Sequence, residues 1–312
     1  MIPGSVVSLL KSRVTAERIQ GVQELARLDE PAAVQPLLLH LLNDKSNYVA
    51  SIAAEALGRS ADLAAAREMI DVFLRMSENG IKLDPGCHIR TNLAIAFGRL
   101  EYIHADEALR VGIRTVQIEP VGGVPYDTGA HLRANSALAM AQINAPNALR
   151  DITLLLFDHG GKQCGSGDKM MNYIEPRKAA ARALGRLANP EARVPLTLRL
   201  RYPEGESVEV LQECMQALVQ LEDPDCRSVL MSLVNCDTPD LAVFAALMMA
   251  QARLEGAEQV LRQLVDRYSG SAMRAAILTL ASLRTPESAR QLTELAEDDR
   301  KVVRDAVAEV VY

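Results

Sequence analysis

The sequence predicts an all-α fold, a right-handed solenoid of about nine helical-hairpin repeats. Three observations predict it. First, a phrase recurs in which an apolar residue is followed by two residues and then proline: Leu28 to Pro31, Ile143 to Pro146, Leu187 to Pro190, Leu221 to Pro224 and Leu283 to Pro286. Second, helix-end phrases recur as Leu57-Gly58-Arg59, Phe97-Gly98-Arg99 and Leu184-Gly185-Arg186. Third, the stretches before these ends are rich in alanine and leucine at helical spacing, as in Ala179, Ala180, Ala183, Leu184 and Leu187.

Each element follows from local chemistry. Proline is favoured in the first turn of a helix, where its missing N–H costs nothing and its φ is already helical. Each proline therefore opens a first helix, A, and the preceding Asn189, Asp223 or Thr285 is a good N-cap. The alanine-rich stretches form a second helix, B, near 14–28, 46–60, 87–100, 128–143, 176–187, 207–221, 240–254, 271–283 and 300–311. Small residues, including Gly58, Gly98 and Gly185, let neighbouring B helices approach closely or end the helix. A lone hairpin cannot bury both of its apolar faces, so the pairs stack into one repeat array over residues 1–312. Polar residues 297–300 suit a terminal cap.

Composition narrows the function. The 312 residues are 49% apolar and 24% charged, with 34 Lys and Arg against 40 Asp and Glu, a net charge of −6. An acidic chain with 4% aromatic residues and no Trp suits neither phosphate neutralisation nor base stacking, so no nucleic-acid partner is expected. Residues 1–13 lack the features of a signal peptide, and the longest uncharged stretch, 134–149, is too short and polar to span a bilayer. The odd count of five cysteines, with no C-x-x-C pair, argues against a disulfide framework. These features together point to a cytoplasmic protein without a membrane partner.

The repeat is widened in its middle. Helix ends at 60, 100, 143 and 187 give intervals of 40, 43 and 44 residues, longer than all the others. The extra residues lie between helices A and B, at Asn79–His88, Gln117–His131 and His159–Glu175, so the repeats spanning about 61–187 carry enlarged loops. Insertions at equivalent positions fall on one edge of a stack and often mark its binding face. Tyrosine and arginine dominate interface hot spots. The residues expected as partner contacts at the loop rim are therefore Arg90, Tyr126, Asp127, His131, Arg133, Tyr173, Glu175 and Arg177.

Three further patterns bear on these loops. Arg18, Arg90, Arg133 and Arg177 share one repeat position, ten residues before the B-helix end. They read either as a basic stripe or, the more economical reading, as a structural ladder between neighbouring repeats. Cys87, His131, His159 and Cys164 could form a metal set if the loops met, but no local pair has ligand spacing, so no metal or other cofactor is expected. The glycines of 160–167 do not follow phosphate-loop spacing, and Gly122-Gly123 reads as a turn. No nucleophile elbow is present, and no histidine is followed by glutamate as a repeat-type di-iron site would need.

The run from Arg177 to Leu187, Arg-Lys-Ala-Ala-Ala-Arg-Ala-Leu-Gly-Arg-Leu, together with Pro190-Glu-Ala, resembles bacterial HEAT-like repeats of the phycobilin-lyase type. The segment from Glu119-Pro-Val-Gly-Gly123 through Asp127-Thr-Gly-Ala-His-Leu-Arg133 resembles one in bacterial HEAT-repeat proteins. The resemblance implies a HEAT-like solenoid over nearly the whole chain, and such repeats serve scaffolds and enzymes alike. The expected function is a non-catalytic scaffold or adaptor that binds a protein or peptide through the concave B-helix face and the three loops. The alternatives are a phycobilin-lyase-like chaperone or lyase subunit, and a metal or small-ligand site built by the loops.

Overall fold

A computed structural model describes residues 2–60, 62–158, 174–187 and 189–311. The chain falls into two compact units, Met1–Leu187 and Ala188–Tyr312. In the first unit the A helices are α1 (Gly4–Leu10), α3 (Pro31–Leu41), α5 (Leu63–Glu78), α8 (Asp106–Arg114) and α10 (Ala148–Leu156). The B helices are α2 (Thr15–Leu25), α4 (Asn47–Ser60), α7 (His88–Arg99), α9 (Ala130–Gln142) and α11 (Glu175–Arg186). A short helix, α6 (Gly80–Leu83), lies in the first enlarged loop, before a 3-10 turn over Pro85–Cys87. In the second unit the A helices are α12 (Arg193–Arg201), α14 (Cys226–Val234), α16 (Ala257–Arg267) and α18 (Pro286–Ala296). Their B partners are α13 (Val208–Gln220), α15 (Pro239–Gln251), α17 (Gly270–Leu283) and α19 (Lys301–Val311). Every expected B helix is present.

Within the first unit each B helix packs on the next, α2 on α4, α4 on α7, α7 on α9 and α9 on α11, while α3, α5, α8 and α10 form a second layer. The second unit repeats the pattern with α13, α15, α17 and α19. The cores are alanine, leucine, valine and methionine, with Phe73 and Phe97 meeting at 6.1 Å between ring centroids. Gly58 faces Ala96 and Gly98 faces Ala139; a Cβ on Gly58 would lie 3.3 Å from that of Ala96, and one on Gly98 only 3.2 Å from the Ala139 backbone. Here glycine sets the interhelical distance.

Two of the three expected caps form: Asn189 accepts the backbone N–H of Glu191, and Thr285 makes a capping box with Ser288. Asp223 instead accepts the Asp225 N–H in a turn, because α14 begins two residues past Pro224, with Asp225 before its first residue. The ends of α7, α9, α13 and α15 share a corner in which Glu101, Asn144, Glu222 and Arg253 adopt φ near +50°. The next residue in each donates back to a helical carbonyl, as Ala145 does to Met140 at 2.9 Å. This is the Schellman arrangement, which satisfies helix-end carbonyls and turns the chain toward the next A helix.

One element departs from the all-α expectation. Residues 118–127 form an antiparallel hairpin, β1 (Ile118–Val121) and β2 (Val124–Asp127), with Val121 opposite Val124 and Pro120 opposite Pro125. Gly122 and Gly123 have φ of +59° and +83°, as a two-residue turn matching strand twist requires. In such a hairpin the pair after the turn-flanking pair points its N–H groups outward, so two prolines cost no ladder bond.

Candidate functional site

The first two enlarged loops meet, and arginine is the reason. Arg90, in the first turns of α7, is 1% exposed. Its Nε donates to Asp84 Oδ2 at 3.0 Å, in its own loop, and its Nη2 donates to Gln117 Oε1 at 2.6 Å, in the next loop. Asp84 also accepts the backbone N–H groups of Ile89 and Arg90, so one carboxylate caps α7 and neutralises the guanidinium. Gln117 passes the contact onward, donating to the Asp84 carbonyl at 3.2 Å and to Glu119 Oε2 at 2.9 Å. Glu119 reaches back across the repeat boundary to accept the Gly86 N–H at 2.8 Å, and it also accepts from the Thr128 hydroxyl.

The same construction recurs along the unit. Arg18 forks onto Asp44 of the following hairpin, at 2.9 and 3.0 Å, and donates to the Ser12 carbonyl. Arg133 lies 2.8 Å from Asp127 and 3.1 Å from Asp158 of the following hairpin, and donates to the Thr115 carbonyl at 2.9 Å. The two carboxylate contacts of Arg133 are ionic and lie off the N–H direction, since neither makes an aligned hydrogen bond. Arg177 donates to the Asp158 carbonyl at 3.0 Å, as Arg133 does to Thr115. Both carbonyls lie just past the C-terminal end of an A helix, where a cation is favoured.

The arginine column is thus a buried ladder, and this corrects the rim expectation for four residues. Arg90, Asp127, Arg133 and Arg177 are each at most 2% exposed and are turned into the stack. Burial of a guanidinium demands a partner for its charge, and these residues are consumed in supplying it. Of the other expected contacts, His131 is exposed at the start of α9, Tyr126 is half-buried on β2, and Glu175 is half-buried and bonded to Lys178 at 2.9 Å. Tyr173 lies outside the described residues, as do most of the third loop and the expected metal candidates His159 and Cys164.

Among the described residues, no group of three or more His, Cys, Asp and Glu is arranged to hold a metal. Cys87 is buried against Arg90 and Thr128, and His131 faces solvent. Burial pushes the Cys87 thiol up to about 11, outweighing the opposing pull of Arg90. It is therefore a protonated thiol at neutral pH and a poor nucleophile. Glu119 behaves oppositely. Burial alone would raise it, but hydrogen bonds from Thr128, Gln117 and the Gly86 N–H together hold it below the ordinary carboxylate value. A satisfied anion, a neutral thiol and an engaged guanidinium make a latch between loops.

The ladder also leaves a clear outer face. On α4, α7, α9 and α11 the half-buried and exposed positions include Tyr48, Ile52, Asn92, Ile95, Asn135 and Leu138. Asn92 donates to the Ser51 carbonyl at 3.0 Å, which ties α7 to α4 across this face.

Two stacks of helical hairpins, the first cemented by a recurring arginine, place the chain among helical-repeat proteins. Its residues 228–311 match the model of HEAT repeats, and the fold of the whole is that of HEAT-repeat proteins. No curated protein matches the sequence. Among known structures, a chain of a homology model of the full-length AP-3 complex in an intermediate open conformation is similar over 96% of this chain and 54% of its own, at 13% identity and a TM-score of 0.62. Kap121p bound to Pho4p is similar over 97% of this chain and 36% of its own, at 13% identity and a TM-score of 0.51. The complex of CpcE and CpcF of phycocyanin lyase from Nostoc sp. PCC7120 matches at 18% identity over 89% of this chain and 94% of its own, with a TM-score of 0.47. The protein thus spans about half of the AP-3 chain and about a third of Kap121p. Among the described residues no helix is long and apolar enough to cross a membrane.

Proposed function

We propose that the protein is a non-catalytic scaffold that binds a protein or peptide across the B helices of residues 1–187. The first two enlarged loops would form part of the border. The observation that carries this reading is the division of labour in the first unit. The buried arginines Arg18, Arg90, Arg133 and Arg177 are engaged within the ladder, while α4, α7, α9 and α11 present a continuous outer face of mixed apolar and polar side chains. Such a face suits an interface, which needs an apolar centre and a polar border. Kap121p, which shares the fold, was solved bound to Pho4p, and the AP-3 chain belongs to a multi-protein complex.

A photo-crosslinking amino acid placed in turn at Ile95, Leu138 and Val111 tests the assignment. Ile95 and Leu138 lie on the B layer and Val111 on the A layer. The same partner should be captured from the first two positions and not from Val111. Equal capture at all three, or capture at Val111 alone, would overturn the assignment of the face.

A further inference from the structure

Four of the five B helices of the first unit share an outer charge that the chain as a whole does not, while α2 carries Glu17 and Glu24 outside the ladder. On α4, α7, α9 and α11 the charged side chains outside the ladder are Arg59, Arg99, Lys178, Arg182 and Arg186 against Glu55 and Glu175. Both acids are already engaged by neighbours on their own helices, Glu55 by Arg59 at 2.7 Å and Glu175 by Lys178 at 2.9 Å. The Arg59 and Glu55 side chains are each about half exposed, so that pair is weak and open to exchange. Arg99 and Arg186 are exposed, and neither has an acidic partner among the described residues. The surplus is local. The B helices of the second unit reverse the sign, with Glu209, Glu213, Asp240, Asp305 and Glu309 against Arg274, Lys301 and Arg304.

The surplus is also ordered. Arg59, Arg99, Gln142 and Arg186 each sit in the last turn of successive B helices. Gly58 seats on Ala96 and Gly98 on Ala139, which sets the register of α4, α7 and α9 there, and α11 packs on α9. Packed helix axes lie about 9 Å apart. A polyproline II chain, rising about 3.1 Å per residue with three residues per turn, covers that distance in roughly three residues and turns every third side chain to the same side. A polyproline II segment crossing the helices with an acidic residue at every third position would therefore meet Arg59, Arg99 and, past Gln142, Arg186 in turn.

We propose that this face takes an extended acidic peptide segment, laid across α4, α7, α9 and α11 with carboxylates on the arginine row and apolar residues against Ile52, Ile95 and Leu138. The proposal rests on the scaffold reading above and names the chemistry of its partner. Charge complementarity selects the occupant, since an acidic segment gains ionic contacts with Arg99 and Arg186 that a neutral one lacks, and a basic one is repelled.

The test uses the full chain and a fluorescein-labelled peptide with Asp or Glu at every third position and Leu and Ser between. Comparison peptides carry Asn and Gln, or Lys, in place of the acids, and a single-stranded oligothymidylate of similar length serves as a nucleic-acid probe. Fluorescence anisotropy should show the acidic peptide binding about tenfold tighter than its amide counterpart at low salt, a preference that shrinks as salt screens it. Arg99→Glu with Arg186→Glu should abolish the preference, and Arg99→Gln with Arg186→Gln should reduce it. Arg274→Glu with Arg304→Glu on the second unit should leave it unchanged. Circular dichroism and thermal midpoints establish that each variant is folded.

Equal binding of the acidic and amide peptides, tighter binding of the oligothymidylate, or indifference to both Arg99 and Arg186 pairs would overturn the proposal. If that happened while crosslinks from Ile95 and Leu138 persisted, only the acidic chemistry would fall. Loss of those crosslinks with the acid preference intact would instead remove the scaffold reading.

Discussion

Arg90 in one hairpin donates through Nη2 to Oε1 of Gln117 in the next, at 2.6 Å, with both side chains buried. The bond crosses a repeat boundary where helix packing alone would hold. Arg18 with Asp44 and Arg133 with Asp158 span the equivalent boundaries.

Removing this arginine should be costly. Arg90→Ala would strand the Asp84 carboxylate, fully buried, without a counter-ion. Loss of one partner of a buried pair costs about 3–5 kcal/mol. Arg99→Ala, at an exposed site, should stay within about 0.5 kcal/mol of the parent. Urea unfolding of the two variants side by side measures the difference; equal midpoints would contradict the ladder.

Glu119 should hold the hairpin to the loop before it. Glu119→Ala frees the Gly86 N–H and the Thr128 hydroxyl, and hydrogen exchange at Gly86 should rise as the hairpin opens. The folded carboxyl lies below its ordinary value of 4.5, so its contribution is complete above that pH and is lost as pH falls through the folded value. Acid should therefore loosen residues 118–128 in the parent, and Glu119→Ala should remove that dependence.

Alkali should act through the thiols. Burial pushes Cys87 and Cys226 each to about 11 from an ordinary 9.0. A thiol whose folded value is raised contributes fully below 9 and loses that contribution as pH rises toward 11. Stability should decline over that window, and less so in Cys87→Ala measured relative to its own value at pH 8. At pH 8 an alkylating reagent should label half-buried Cys236 before Cys87 or Cys226.

Gly98 should tolerate little growth. A Cβ there meets the Ala139 backbone at 3.2 Å and the flexible end of Gln142. Gly98→Val should cost about 1–3 kcal/mol by overpacking. In Gly98→Ala the helix-propensity gain of up to about 1 kcal/mol offsets part of the strain. Thermal midpoints of the two variants give the order.

Much of this fold is legible in the sequence because the signals are local. Proline, cap and alanine spacing act within one turn of helix, and they place every B helix from α2 to α19. The hairpin is not legible, since its strands are four residues each and both carry a proline. What admits those prolines is a register fixed by Gly122-Gly123, and register does not show in a residue count. Of the site, the arginine column is legible and its orientation is not. Arginine is common both in interfaces and in buried pairs, and only the facing carboxylate distinguishes them. That carboxylate leaves one faint trace: Asp84 precedes Arg90 by the same six residues that separate Asp127 from Arg133. Gln117 and Glu119 leave no such trace, because they reach Arg90 and Gly86 in a different hairpin, and Thr128 leaves none because its bond to Glu119 exists only once the β-hairpin has closed.

The tip of the hairpin has one practical use. A methyl group on Gly122 or Gly123 would find nothing within 4 Å, whereas the base of the same hairpin is fastened through Glu119. A fluorophore carried on a side chain introduced at Gly122 or Gly123, which keeps the two-residue turn, would stand clear of both helical layers. From that mast a dye could report on events at the neighbouring loops without being part of them.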